Sequence, residues 1–235
     1  MTKKQIQLMQ DCPAGFLKLP KGLSKIPIMR ATNKFIAPTV VNSMGLCTIT
    51  ENQGATSKCA AYSTTSWAEN ILWKQDNYPT QLDYDKVYAR AKEIDGDETD
   101  GTTLPAAMQA LLDVYPKLFD QECKPKMIRA FGGNLDDLRY AIHKYGCVVG
   151  GFMITEDWYK CDNKCKGWIP VTKGAKPLGG HAVLICGYNQ NGLQIQNSWG
   201  AKWGENGFAT LDWNAAKDQF LYGEVLKGCM KHIDD

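Results

Sequence analysis

The sequence predicts an α+β chain of two lobes, a helical one followed by a β-rich one, and three observations predict it. Its 235 residues include 44% hydrophobic and 22% charged side chains, enough apolar material for a sizeable core. Helix-spaced apolar residues dominate from Ser57 to about Leu118, whereas short apolar runs punctuated by glycine and asparagine dominate after residue 145. No internal repeat or low-complexity tract divides the chain differently. Two lobes that share one interface leave a cleft between them, a common place for a site.

The first fifty residues stand apart electrostatically. They hold seven Lys/Arg against one acid, Asp11, which gives +6, while the remaining 20 Lys/Arg and 24 Asp/Glu give −4. Pro13, Pro20, Pro27 and Pro38 make this stretch an extended arm rather than a helix. Phe16 and Phe35 are its only aromatics, too few to stack bases between the lysines, so no nucleic-acid partner is expected. The longest uncharged apolar stretches, 147–155 and 178–188, are shorter than the ~18 residues a membrane span needs, so no membrane partner is expected either. Gln5, Gln7, Gln10 and Asp11 interrupt any export-signal core, and a cytoplasmic or virion-associated setting is the expectation.

Along the chain, Ala60, Thr64, Trp67 and Ile71 recur at spacings of 4, 3 and 4 and predict the first helix. Further helices are expected over 87–92, over 104–115 with Pro105 in the first turn, and near 135–144. Strands are expected over 147–154, 182–186, 193–197 and 207–211.

Nine cysteines, an odd number in a chain without a legible export signal, argue against a complete disulfide framework. Cys147 and Cys186 lie in apolar runs and read as small core residues. Cys161 and Cys165 form a C-x3-C in a polar loop, but no second cysteine or histidine pair exists to complete a zinc tetrahedron. The acidic run Glu93, Asp95, Asp97, Glu98, Asp100 fails as a calcium loop. Counted from Asp95, its sixth position is Asp100 where glycine is needed, and its twelfth is Ala106 where glutamate is needed. No metal and no cofactor is expected.

Chemistry concentrates in two stretches. In the first, Gln53-Gly54-Ala55-Thr56-Ser57-Lys58-Cys59-Ala60-Ala61-Tyr62-Ser63, a polar loop runs into a helix whose first turn holds Cys59, with Thr56 or Ser57 as expected cap. The partial positive charge at a helix start favours a thiolate there, more so beside an imidazolium. In the second, Gly180-His181-Ala182-Val183 leads through Gly187-Tyr188 and Asn189-Gln190-Asn191-Gly192 to Asn197-Ser198-Trp199-Gly200, which reads as a hairpin. A turn centred near Asn189 places His181 opposite Asn197 on the face shared by Val183 and Ile195, whereas a turn centred on Asn191-Gly192 breaks that register. An asparagine there can accept from one imidazole nitrogen and aim the other at a thiol.

From Pro38 to Leu211 the chain resembles the papain-like cysteine peptidases. The resemblance rests on three blocks in family order: Gln53-Gly54 with Cys59 and Tyr62-Ser63; Gly180-His181-Ala182-Val183 with Gly187-Tyr188; and Asn197-Ser198-Trp199-Gly200 with Trp203-Gly204-Glu205-Asn206-Gly207. It implies a two-lobed fold with a helical lobe at about 50–120 and an antiparallel, β-barrel-like lobe at about 130–225. It also implies a peptidase domain over 26–235, preceded by a basic extension over 1–25. The resemblance further implies Cys59 as nucleophile, His181 as base and acid, Asn197 as its orienter and Gln53 as oxyanion donor. Trp199 is the tryptophan that shields the Asn–His bond, Gly180 supports the histidine, and a peptide or protein is the substrate.

The sequence departs from the family where Thr56 replaces the usual disulfide cysteine, Lys58 the small residue before the nucleophile, and Ala60 the aromatic after it. These departures suggest a branch without the active-site disulfide. Lys58 can either contact a thiolate or face solvent. Residues 1–25 are expected to strap the cleft or anchor a partner, and their removal is not expected to activate sharply. Two other functional classes use the same residues: an inactive binding module, suggested by Lys58 and Ala60, and an amidase or acyltransferase that passes the thioester to an amine.

Overall fold

The structure, a computed structural model, describes residues 26–76, 81–96, 98–119, 124–129, 135–161 and 165–227. The expected extension over 1–25 lies outside them. In chain order the described elements are β1 (Val41–Asn42), α1 (Cys59–Asp76), α2 (Tyr84–Asp95), α3 (Leu104–Val114), β2 (Lys124–Arg129), α4 (Asp136–Tyr145), β3 (Val148–Thr155), β4 (Pro177–Tyr188), β5 (Gly192–Gln196), β6 (Phe208–Asp212), α5 (Trp213–Gln219) and β7 (Phe220–Lys227).

Helix α1 is the axis of the helical lobe. Ala60, Ala61, Trp67, Ala68 and Ile71 are buried on it, and so are the polar Thr64 and Asn70, because α2, α3 and strand β4 all pack against it. A helix enclosed on several sides has no wide polar face. Helix α2 starts at Asp83, whose carboxylate accepts the Lys86 N–H at 3.1 Å, and stops at Gly96 with φ 62°. Helix α3 starts at Thr103, whose hydroxyl accepts the Ala106 N–H, with Pro105 in its first turn. The described part of the acidic run is helix end and loop. There, Asp95 accepts from Thr102 Oγ1 at 2.5 Å and pairs with Lys92 at 3.4 Å.

The strands form one antiparallel sheet in the order β2-β7-β3-β4-β5-β6, with β1 added beside β4. Among the described residues the sheet is open, which corrects the barrel-like expectation for this lobe. Closure needs the edge strands β2 and β6 to pair, but the outer edge of β6 is occupied by the loop around Trp168. Thr210 N–H donates to the Gly167 carbonyl at 2.6 Å, and its carbonyl accepts from Ile169 N–H at 3.1 Å. At the other end, Pro125 lies in β2, as suits an edge strand.

The β4–β5 hairpin also differs from the expected register. His181 sits opposite Phe152 of β3 rather than opposite Asn197, and β5 pairs Ile185 with Ile195 and Tyr188 with Leu193. Two local causes act. The tight turn closes between Asn189 and Gly192, with Asn189 Oδ1 accepting from the Asn191 and Gly192 N–H groups, and a bulge interrupts β4 at Cys186. Extending the Ile185–Ile195 register sets Asn197 opposite Val183, two residues from the expected partner. Because side chains alternate with period two, that shift keeps Asn197 on the face of His181.

Candidate active site

The loop that precedes α1 is tied to itself and to the distant segment after β5. Gln53 Nε2 donates to the Thr56 carbonyl and Thr56 Oγ1 donates to the Gln53 carbonyl, both at 2.6 Å. The Gln53 N–H donates to the Ser198 carbonyl at 2.8 Å, and Gln53 Oε1 accepts from Ser198 Oγ at 2.6 Å. Gln53 is therefore held at both ends and buried.

Thr56 and Ser57 do not occupy the cap position expected of them. The Thr56 hydroxyl is spent on Gln53, and the Lys58 carbonyl takes the first helical N–H, from Tyr62 at 3.0 Å. Cys59 is consequently the first residue of α1, fully buried, at the end where helical N–H groups lack carbonyl partners within the helix. Ser63 Oγ donates to the Cys59 carbonyl at 2.8 Å. Lys58 turns outward, with Nζ 2.5 Å from Asp85 and 5.5 Å from the centre of the Tyr88 ring.

His181 and Asn197 meet. His181 Nε2 lies 2.8 Å from Asn197 Oδ1, and both residues are buried. The Ser198 N–H also donates to Oδ1 at 2.8 Å, which identifies that atom as the amide oxygen. Nε2 must then carry hydrogen, so neutral His181 presents the lone pair of Nδ1, an atom with no hydrogen-bond partner among the described residues. Burial lowers the His181 pKa to about 4, partly opposed by the bond to Asn197.

The pair is roofed by aromatics. Trp199 stacks on the imidazole with centroids 4.7 Å apart, and Tyr159 stacks on the outer face of Trp199, also at 4.7 Å. Trp158 meets the imidazole edge-on at 6.1 Å, and Trp203 donates from Nε1 to the Trp158 carbonyl at 2.8 Å. Gly207 anchors Asn197 from behind, its carbonyl accepting the Asn197 N–H at 2.9 Å. Its φ is +88°, and a Cβ there would come within 2.1 Å of Thr50, so this position requires glycine. Gly180 pairs with Met153 beside Phe152–His181.

The two lobes meet here. Helix α1 packs on β4, and Ser63 and Ser66, one and two turns into that helix, line a small cavity with Glu51, Val183, Gln196, Asn197 and Ser198. Tyr222 of β7 sits opposite Gly151, next to the Phe152–His181 pair, and its phenol pKa is pushed up by burial, with Glu224 and Cys59 adding to the effect. Sequence reasoning did not single out Ser198, Tyr159 or Tyr222 as site residues. Ser198 and Tyr159 act through contacts 145 and 40 positions away in the chain, which no local pattern encodes. Among the described residues, no group of three or more His, Cys, Asp or Glu side chains gathers as a metal site, and Cys161 Sγ instead donates to the Trp168 carbonyl at 3.3 Å.

Residues 120–223 match the family model described as papain family cysteine protease. An uncharacterised peptidase C1-like protein of Acanthamoeba polyphaga mimivirus is 32% identical over 96 residues, covering 37% of this chain and 31% of that protein. Pro-cathepsin H of Mus musculus is 27% identical over 185 residues, covering 69% of this chain and 55% of the relative. The chain thus spans about a third to a half of the length of these relatives. Among solved structures, xylellain, a cysteine protease from Xylella fastidiosa, superposes with a TM-score of 0.72 at 18% identity, covering 93% of this chain and 97% of that one. A procathepsin B from Trypanosoma congolense gives 0.70 at 15% identity, covering 94% and 88%. The matched segment carries His181 and Asn197, and across nearly its whole length the chain has the fold of these cysteine proteases.

Proposed function

We propose that the chain is a cysteine peptidase that hydrolyses peptide bonds through Cys59, His181 and Asn197. The observation that carries this reading is the His181–Asn197 bond, because the Ser198 N–H fixes the tautomer and leaves the Nδ1 lone pair to receive a proton. Cys59 Sγ attacks the substrate carbonyl carbon as Nδ1 takes the thiol proton. The same nitrogen then protonates the departing amine, which leaves a thioester. Water, deprotonated by His181, adds to the thioester and releases the acid and the Cys59 thiol.

The negative oxygen that forms in both steps is stabilised by the Cys59 N–H at the helix start and by Gln53 Nε2. That amide carries two hydrogens, and Thr56 accepts from it. Removing one such donor typically costs about 2.7–4 kcal/mol of barrier. Trp199 keeps water from the Asn197–His181 bond. Lys58, paired with Asp85, serves the surface rather than the thiolate.

Cys147 is the other cysteine near these strands. It precedes the Val148–Ile185 pair that opens the β3–β4 register, whereas His181 faces Phe152, five residues along from Cys147 and about 16 Å away at the rise of a strand. Its thiol donates to Asn70 Oδ1 at 3.1 Å, and burial pushes its pKa up, both contrary to a nucleophile. The mimiviral relative is consistent with a virion-associated setting.

The test is alkylation of the reduced protein with a peptidyl epoxide, with the adduct located by mass spectrometry. A single adduct on Cys59, lost in Cys59→Ala and in His181→Ala, is the expected result. No adduct, or label spread over several cysteines, refutes the assignment.

A further inference from the structure

The connection between β3 and β4 runs from residue 156 to residue 176, far longer than the roughly two to five residues of an ordinary hairpin, and its start folds back over the site. There it supplies part of the aromatic roof: the Trp158 ring stands edge-on to His181, and Tyr159 covers Trp199. A loop this long holds its side chains in one place only if its limbs are tied together. Asp157 ties them. Its Oδ2 accepts the Thr172 N–H at 2.7 Å, its Oδ1 accepts from the Thr172 hydroxyl at 2.8 Å, and Lys160 Nζ lies 2.9 Å from Oδ1. The Asp157 side chain is 3% exposed and that of Lys160 49%, so the carboxylate is enclosed while its cation sits at the rim. A buried carboxylate with a full set of donors gives a defined arrangement more than it gives stability. Other bonds hold the loop down on the β-rich lobe: Trp158 Nε1 donates to Gln219 Oε1 at 2.7 Å, and the Cys161 carbonyl accepts the Gly204 N–H at 2.7 Å. Asp157 fixes the point in the chain from which Trp158 and Tyr159 follow directly.

We propose that Asp157 is a positioning residue for the active site, which by clamping Thr172 sets Trp158 and Tyr159 over the imidazole and Trp199. It acts through the two residues that follow it rather than by touching substrate or His181. With the clamp closed, Tyr159 keeps Trp199 on the ring and Trp158 closes the ring's edge, so water stays away from the His181–Asn197 bond and Nδ1 keeps its aim. With the clamp open, the limbs of the loop part, Tyr159 leaves Trp199, and water reaches the imidazole. The groups set against the ring, Asn197, Trp158, Trp199 and Phe152, carry no charge, and burial keeps the phenol of nearby Tyr222 neutral. The His181 pKa, held at about 4 by burial, is therefore a gauge of how closed the roof is, and wetting moves it toward the ordinary ~6.5. The kinetic consequences of this inference rest on the peptidase reading; the titration of the ring does not.

The test compares Asp157→Ala, Asp157→Asn and Thr172→Val in the full chain. His181 is titrated by NMR in a Cys59→Ala background, where no turnover is needed. The expected outcome is a His181 pKa raised by about one unit or more in Asp157→Ala, by less in Thr172→Val, which keeps the N–H donor, and least in Asp157→Asn, whose amide oxygen still accepts from Thr172. With Cys59 in place, kcat on a peptide amide falls in the same order, by about tenfold or more for Asp157→Ala, while KM changes much less. A purely structural Asp157 lowers the melting temperature but leaves the pKa of His181 in the folded protein where it was. If Asp157→Ala does not fold, Thr172→Val decides. A His181 pKa that is unchanged or lowered in the folded variants overturns the proposal. A parent protein that neither hydrolyses peptides nor takes the epoxide at Cys59 overturns the peptidase reading instead, and the titration still decides the role of Asp157.

Discussion

Replacing Asn197 by alanine isolates the part of the site on which the proposed chemistry leans most. The side chain accepts two hydrogen bonds at Oδ1, each 2.8 Å long, from His181 Nε2 and from the Ser198 N–H, and all three groups are buried. During turnover the ring becomes an imidazolium, so the first of these bonds turns into one from a charged donor, worth about 1.5–3 kcal/mol. At about 1.36 kcal/mol per factor of ten, its loss lowers kcat by roughly 10- to 150-fold. KM should change little, because Asn197 is roofed by Trp199 and touches His181 rather than substrate. The change also removes the one interaction that raises the His181 pKa, so in a Cys59→Ala background that pKa falls below its value of about 4. Steady-state kinetics on a peptide amide read the first effect, and NMR titration of the His181 ring reads the second. A folded Asn197→Ala protein with kcat within about twofold of the parent refutes the orienting role, since even the weakest bond in that range is worth tenfold. A His181 pKa that rises refutes the electrostatic account.

Three further outcomes are expected. Glu224 is fully buried, both of its carboxylate oxygens lack hydrogen-bond partners among the described residues, and burial raises its pKa well above the ordinary value. The folded protein therefore keeps a proton that the unfolded chain releases above about pH 4.3, and stability declines as pH rises, by at most about 1.4 kcal/mol per unit, until the folded carboxyl also ionises. Glu224→Gln should remove this slope and increase stability at neutral pH, as urea unfolding across pH will record. Lys58→Met removes an ion pair whose partner Asp85 is 61% exposed, so stability should move by less than about 1 kcal/mol. The pH midpoint of Cys59 alkylation should move by less than about half a unit, whereas a shift of a full unit would mean that Lys58 holds the thiolate. Gly207→Ala forces a Cβ into Thr50 at a positive φ and should cost about 1–3 kcal/mol, with kcat falling because the Asn197 N–H hangs on that carbonyl; wild-type melting would show that the turn yields freely.

Much of the helical lobe was legible. The 4, 3, 4 spacing of Ala60, Thr64, Trp67 and Ile71 and the Thr103–Pro105 start are local signals, and α1 and α3 follow them. The strands β2 and β7 were not anticipated. Lys124–Arg129 contains a proline, and Phe220–Lys227 contains Gly223 and the buried Glu224, so neither shows period-two alternation of apolar and polar residues. Both become strands because they complete a sheet whose centre, β3 and β4, is strongly apolar. The hairpin was visible but its register was not, since the bulge at Cys186 lies where β1, some 140 residues away in the chain, pairs with β4.

By itself the sequence determined which residue types could carry chemistry: a cysteine entering a helix, and a histidine and an asparagine on strands joined by a short turn. Side-chain period is a local property, so even a register shifted by two residues left His181 and Asn197 on one face. Only the tertiary structure decided which nitrogen of His181 holds hydrogen, that Lys58 turns away to Asp85, and that Gln53 is clamped by Ser198. Each of these rests on partners from distant segments brought within about 4 Å, a range over which hydrogen bonds and burial act but at which local sequence carries no information.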